Sequence, residues 1–311
     1  MLFYQLKMKR TKDDNCLLCE KEKAIRTNSH IVPATLLDNV HGKRHMEHSF
    51  VFSTSDNTVN EYYGCQNPQK YTTKIKKPIF TYDHIFCDKC ENYFGKLENL
   101  CNTIFANIDK EKNTDKIKDK QHNHILFKEI LNLNPALIQL YFYSIIWRLI
   151  IQDYIENNSI AEQIIPTEEK LRYTLNQFRE LKEKQLKKIS LEKNLCIKIV
   201  TTKQDIYPIG QFFNSSTNNP YFFIIGQFLL YLFDLDSYLD EKNRHYLTEI
   251  EKISNYGERN YKVIYFPKDK YDMIISKVID LYFTKMKPEI IPEIQNDLKD
   301  KINRIDTRGL K

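Results

Sequence analysis

Glycine and proline are scarce, at 7 and 10 in 311 residues, which excludes a low-complexity chain. Long apolar runs are missing too. The most apolar stretch, Leu137 to Ile151, is interrupted by Gln139 and Arg148 and falls short of the roughly 20 residues a membrane span needs. Met1 to Arg10 lacks the apolar segment of a signal peptide. There is no phosphate-binding glycine loop and no internal repeat. Nor does one sign of charge dominate: 47 basic against 41 acidic residues leave +6, which permits nucleic-acid binding without demanding it. These absences imply a soluble, cytoplasmic protein without membrane contact. What is present, 41% hydrophobic and 13% aromatic residues, is enough for a globular core in one large domain or two ordinary ones.

Seven cysteines is an odd number, and only four of them stand in pairs. Cys65, Cys101 and Cys196 are scattered, which argues against a disulfide framework and for a reducing compartment. The paired ones are Cys16-Leu17-Leu18-Cys19 and Cys87-Asp88-Lys89-Cys90. Thiolates are preferred ligands of zinc, and two intervening residues let both sulfurs of a pair reach one ion, so two pairs make a closed tetrahedral site. Cys16, Cys19, Cys87 and Cys90 are therefore expected to hold a structural Zn²⁺. The segment between the pairs is closed by that metal.

Within it stands Ser29-His30-Ile31-Val32-Pro33, an apolar strand that proline ends because it has no N–H for a sheet ladder. A short helix is expected over 33–39, with Leu36 and Leu37 turned inward. The region 41–80 reads as a long insertion. It holds His41, His45 and His48, and later the basic run Tyr71 to Lys77, where Lys74, Lys76 and Lys77 suit contacts to a nucleic-acid backbone or a solvated strand edge equally well. Ile79 to Phe86 alternates as a strand leading to the second pair. Beyond Cys90 the period becomes helical, with Tyr93, Phe94, Leu97, Leu100, Cys101, Ile104 and Phe105 expected on one buried face. Glu91 and Glu98, seven apart, are nearly aligned on that helix.

Asp109 to Asn123 is polar and dense in lysine and aspartate, which divides the chain into 1–107, a linker over 108–123, and 124–311. Asn134-Pro135 offers an N-cap followed by proline at the first helical position, opening a core helix to about Asp153. Arg148 on that helix needs a partner if buried, and a carboxylate such as Glu98, or a phosphate, would serve. An amphipathic helix starts at Pro166, strands are expected over Leu195 to Thr201, Tyr221 to Phe233 (interrupted at Gly226) and Tyr261 to Phe266, and a last helix over Lys268 to Met286.

A CxxC knuckle, then Ser-His-Ile-Val-Pro, then a CxxC running into Glu91-Asn92-Tyr93-Phe94-Gly95-Lys96-Leu97-Glu98 resembles the HNH (ββα-metal) endonucleases, in particular HNH-like proteins of bacterial and phage-defence contexts. The resemblance covers about the first third of the chain. It implies an α+β protein: a zinc-stabilised, treble-clef-type ββα-metal unit, followed by a mainly helical domain with a small sheet. It also implies a metal-dependent endonuclease acting on nucleic acid, DNA before RNA, with His30 as the base and Mg²⁺ or Mn²⁺ as catalytic ion. A protein partner in a defence complex is implied as well. Two positions depart from the pattern, Ser29 where Asp or His precedes the base and Glu91 where histidine follows the last cysteine. A carboxylate suits a hard cation, so Glu91 or Glu98 would take it, with Asn92 orienting water or phosphate. The alternative is a zinc module that binds nucleic acid or a protein without cutting.

Overall fold

The structure is a computed structural model that describes residues 10–36, 48–53, 58–63, 81–106, 108, 115–122, 125–157, 162–192, 194–202, 211–213, 219–236 and 260–283. In the cysteine unit, β1 (Ser29–His30) pairs antiparallel with β4 (Thr81–Tyr82), setting His30 opposite Thr81. Between them in sequence lies an antiparallel hairpin, β2 (His48–Ser53) with β3 (Thr58–Tyr63). Residues 34–36 form a helical turn, and Leu36 is buried as expected; Leu37 lies outside the described residues. The expected strand from Ile79 to Phe86 is reduced to Thr81–Tyr82, because residues 83–85 bend and His84 takes a left-handed φ of 58°.

Helix α1 (Asp88–Ala106) follows the second cysteine pair. Asp88 and Glu91 place acidic groups in its first turn, where the helix dipole favours them. Its buried stripe is Cys90, Tyr93, Phe94, Leu97, Cys101 and Phe105. The steps of three and four residues keep these side chains on one face.

Next come β5 (Ile117–His122) and β6 (Ile125–Ile130), an antiparallel pair. β5 lies within the segment expected to be a linker: only Ile117 on it is buried, so an edge strand with wet side chains reads by composition as a connection. Helix α2 (Pro135–Asn157) opens as anticipated, with the Ala136 N–H donating to Asn134 Oδ1 at 2.9 Å. Every residue from Leu137 to Ile151 is buried, so α2 is a central helix. A 3-10 turn (Glu162–Ile164), α3 (Ile165–Phe178) and the short α4 (Glu183–Leu186) follow.

The remaining strands are β7 (Leu195–Thr201), β8 (Gln211–Phe213), β9 (Tyr221–Ile225), β10 (Phe228–Asp234) and β11 (Tyr261–Tyr265), with α5 (Lys268–Phe283) last. They join β5 and β6 in a seven-stranded sheet of order β5-β6-β11-β7-β10-β9-β8. Its pairs are antiparallel except β11 with β7, where Ile264 stands beside Val200. Gly226, at φ 56°, makes the two-residue turn between β9 and β10. The expected small sheet is corrected by these strands: the apolar runs of β7, β9, β10 and β11 are buried within one large sheet. Leu195, Ile197 and Ile199 belong to the cluster that includes α2, while Val200 packs in a second cluster with Tyr271 and Ile275 of α5.

One apolar cluster runs from Cys16, Phe86 and Cys90 through α1 and α2 into the sheet at Ile197 and Leu230. Phe105 and Phe142 meet edge to face at 4.8 Å, and Tyr143 Oη donates to the Leu195 carbonyl at 2.8 Å. The cysteine unit and the sheet therefore share a core through α2.

Candidate metal centre

The first pair sits on a tight knuckle. The Cys16 N–H donates to the Glu22 carbonyl and the Glu20 N–H to the Cys16 carbonyl, both at 2.8 Å, and Glu20 adopts φ 57°. Further bonds tie the knuckle to the residues before the second pair: Leu17 N–H to the Ile85 carbonyl at 3.0 Å, Arg26 N–H to Phe86 at 3.2 Å and His84 N–H to Arg26 at 2.7 Å. Cys87 then stands just ahead of α1, whose Glu91 N–H donates to its carbonyl at 3.0 Å, and Cys90 lies in the first turn.

The result is four buried thiols, Cys16, Cys19, Cys87 and Cys90, with all sulfurs within 4.8 Å of one another. Cys19 Sγ and Cys87 Sγ are 3.9 Å apart. Tetrahedral zinc with bonds of about 2.3 Å needs sulfurs about 3.8 Å apart, so the set fits a structural Zn²⁺. Its titration fits too. A hydrogen bond from Cys90 draws Cys16 down to about 5, the same bond pushes the Cys90 thiol up, and burial pushes Cys87 up to about 11. Without a cation the cluster supports little negative charge; a dication makes the remaining deprotonations favourable.

Arginines and lysines surround this centre. Arg179, just beyond α3, donates from its NH1 to Cys90 Sγ at 3.9 Å. Arg172 of α3 pairs with Glu20 of the knuckle at 2.7 Å, Lys89 with Glu22 at 2.6 Å and Arg26 with Asp88 at 2.6 Å. The metal unit is thus held against α3 as well as on α1.

The candidate catalytic residues fall in two places. His30 is half-buried, and its carbonyl accepts from Arg148 at 2.8 Å. The same arginine pairs with Glu98 at 2.9 Å, so the aligned carboxylate is engaged by a buried cation. Ser29 is fully buried and its hydroxyl has no hydrogen-bond partner; alternation along β1 directs it away from the side His30 takes. Glu91 and Asn92 instead line an open pocket of about 540 Å³ between α1 and the end of α3. Neither His30 nor Glu98 lines it. Among the described residues the cysteine cluster is the one grouping of three or more potential metal ligands. Lys74, Lys76 and Lys77, with His41 and His45, lie outside the described residues.

Sequence reasoning missed Arg172, Arg179 and Gly95. Arg172 sits on an amphipathic helix and Arg179 just beyond its end, where charges read as a solvated face, and only the tertiary packing carries them to the cysteine unit. Gly95 had a signal, a glycine inside a helical period. No helix among the described residues is long and apolar enough to cross a membrane. Comparison with known protein families, curated proteins and solved structures finds no match to this chain.

Proposed function

We propose that this chain is a zinc-built, HNH-like module that acts on nucleic acid, with His30 as the base for phosphodiester hydrolysis. The observation that carries the reading is the assembly around the four thiols. A CxxC knuckle, the short β1 strand bearing His30 and the helix opened by the second CxxC are gathered in one unit, the order of parts expected of a treble-clef-type ββα-metal fold. His30 is half-buried, on a strand fixed by pairing to β4 and by the Arg148 bond. A neutral imidazole, with an ordinary pKa near 6.5, suits removal of a proton from water at cytosolic pH.

A second reading, nucleic-acid binding without cutting, is favoured by the buried Ser29 hydroxyl and by the pairing of Glu98 with Arg148. The two readings separate in one experiment. Supercoiled DNA, linear DNA and RNA are incubated with purified zinc-loaded protein and Mg²⁺ or Mn²⁺, beside His30→Ala carrying the same zinc content. Cleavage by the parent protein alone supports hydrolysis with His30 as base. Salt-dependent binding by both proteins, with cleavage by neither, establishes the second reading.

A further inference from the structure

Gly95 lies near the middle of the 19-residue helix α1. Glycine weakens a helix there, because its backbone loses more freedom on ordering than alanine does. Close approach of a neighbouring element is the ordinary compensation. Here that explanation fails: a Cβ added to Gly95 meets nothing within 4 Å among the described residues. Gly95 instead lines the pocket between α1 and the end of α3, whose volume of about 540 Å³ matches small-molecule sites of about 300–1,000 Å³.

The rest of the lining suggests what approaches. Lys89, Lys96 and Arg179 bring three cations to the pocket, Lys89 in an exposed pair with Glu22 that a stronger anion can replace, and Asn92 and Asn99, both exposed, add amide groups on the same flank of α1. Of the two carboxylates, Glu180 is already held by Arg179 at 2.7 Å and its side chain is 70% exposed, so it can yield to a stronger anion at little cost. Phosphate oxygens suit the three cations, and a ligand that also carries hydroxyl or amino groups suits the two asparagine amides.

We infer that this pocket binds a nucleotide through its phosphate. Lys89, Lys96 and Arg179 hold the anion, Asn92 and Asn99 hydrogen-bond to it or to the sugar, and Gly95 leaves room for the ligand against the helix. The phosphate belongs either to a free nucleotide or to one unit of a polynucleotide. The site stands apart from the proposed hydrolysis, since His30 does not line it.

Isothermal titration calorimetry on the full zinc-loaded chain tests it, with adenosine 5′-monophosphate, adenosine, and a single-stranded oligodeoxyadenylate as probes. Binding of the monophosphate or the oligonucleotide, and not of adenosine, is expected. Gly95→Leu, which fills the pocket, and Lys96→Ala should each weaken it by about tenfold or more, with zinc content and thermal unfolding retained. Should Gly95→Leu lose zinc, Lys96→Ala decides alone. The monophosphate binding better assigns a free nucleotide; the oligonucleotide binding better assigns a polynucleotide. Binding of adenosine equal to its phosphate, binding by neither phosphate probe, or parental affinity in a zinc-loaded Gly95→Leu or in Lys96→Ala overturns the inference. His30→Ala should bind like the parent, so a failed cleavage assay leaves this result readable.

Discussion

Arg148, 2% exposed, places its guanidinium 2.9 Å from the Glu98 carboxylate, which is 22% exposed. The pair joins two helices of one core, and the same guanidinium donates to the His30 carbonyl at 2.8 Å and lies 4.8 Å from the Phe94 ring centre. A strand of only two residues, β1, could not hold its place by ladder bonds alone. The arginine supplies the missing constraint.

The two members of that pair should differ in cost. Glu98→Leu leaves a charge buried and uncompensated, a loss of about 3–5 kcal/mol. Arg148→Met leaves a carboxylate that still reaches water, a loss closer to about 1–3 kcal/mol. Urea unfolding of both variants and of the double variant checks this, and the double variant should cost less than the sum of the two. Equal losses would mean that Arg148 is not the desolvated partner.

Trp147 is the sole tryptophan of the chain and reports on the metal centre. Its ring centre is 5.9 Å from Phe86 and 6.2 Å from Phe94, while its indole N–H donates to Glu168 at 2.8 Å. Removing zinc with a strong chelator, or making Cys87→Ser with Cys90→Ser, should loosen those rings and shift Trp147 emission to the red with loss of cooperative unfolding. Emission and unfolding unchanged after verified loss of metal would show the cluster to be dispensable.

Burial raises the Glu168 pKa above its ordinary 4.5, partly offset by the Trp147 hydrogen bond and by Arg172. A folded pKa raised above the unfolded one means the folded chain holds its proton more tightly. That contribution is complete below about 4.5 and fades as pH rises through the folded value. Glu168→Gln, which does not titrate, should therefore gain stability relative to the parent as pH rises above the ordinary carboxylate range. Paired urea titrations across that range measure it, and a constant difference would refute it.

Gly95→Ala should stabilise the protein by about 0.5–1 kcal/mol, because the added methyl group meets open space. Thermal unfolding of the ligand-free protein is the check. A destabilised variant would mean that the helix needs glycine for an internal reason.

Parts of this arrangement are legible in the sequence because they are written locally. The two CxxC spacings name the thiols. Asn134-Pro135 marks the start of α2, and the unbroken apolar run of β7 spans Leu195–Thr201 as expected. Even the Arg148–Glu98 pair follows from the need of a buried cation for a carboxylate. What escaped depends on distance along the chain. Arg179 reaches Cys90 across 89 positions and Arg172 reaches Glu20 across 152, and no local period encodes either. β5 escaped for the opposite reason: an edge strand with one buried residue leaves no apolar pattern to read. The catalytic grouping was drawn from alignment on α1, but the helix sends Glu98 to Arg148 and Glu91 to the pocket.

The thiol cluster brings Cys19 to Cys87 across 68 positions, and the β2–β3 hairpin lies inside the span so closed. Once both ends of a loop are clamped, its length matters little, since each doubling adds only about 0.6 kcal/mol of closure entropy. Such a clamp would leave the part of the span between Leu36 and Thr81 open to changes of length, while Ile31, Val32, Ile85 and Phe86 keep their places in the core that α2 shares with the sheet.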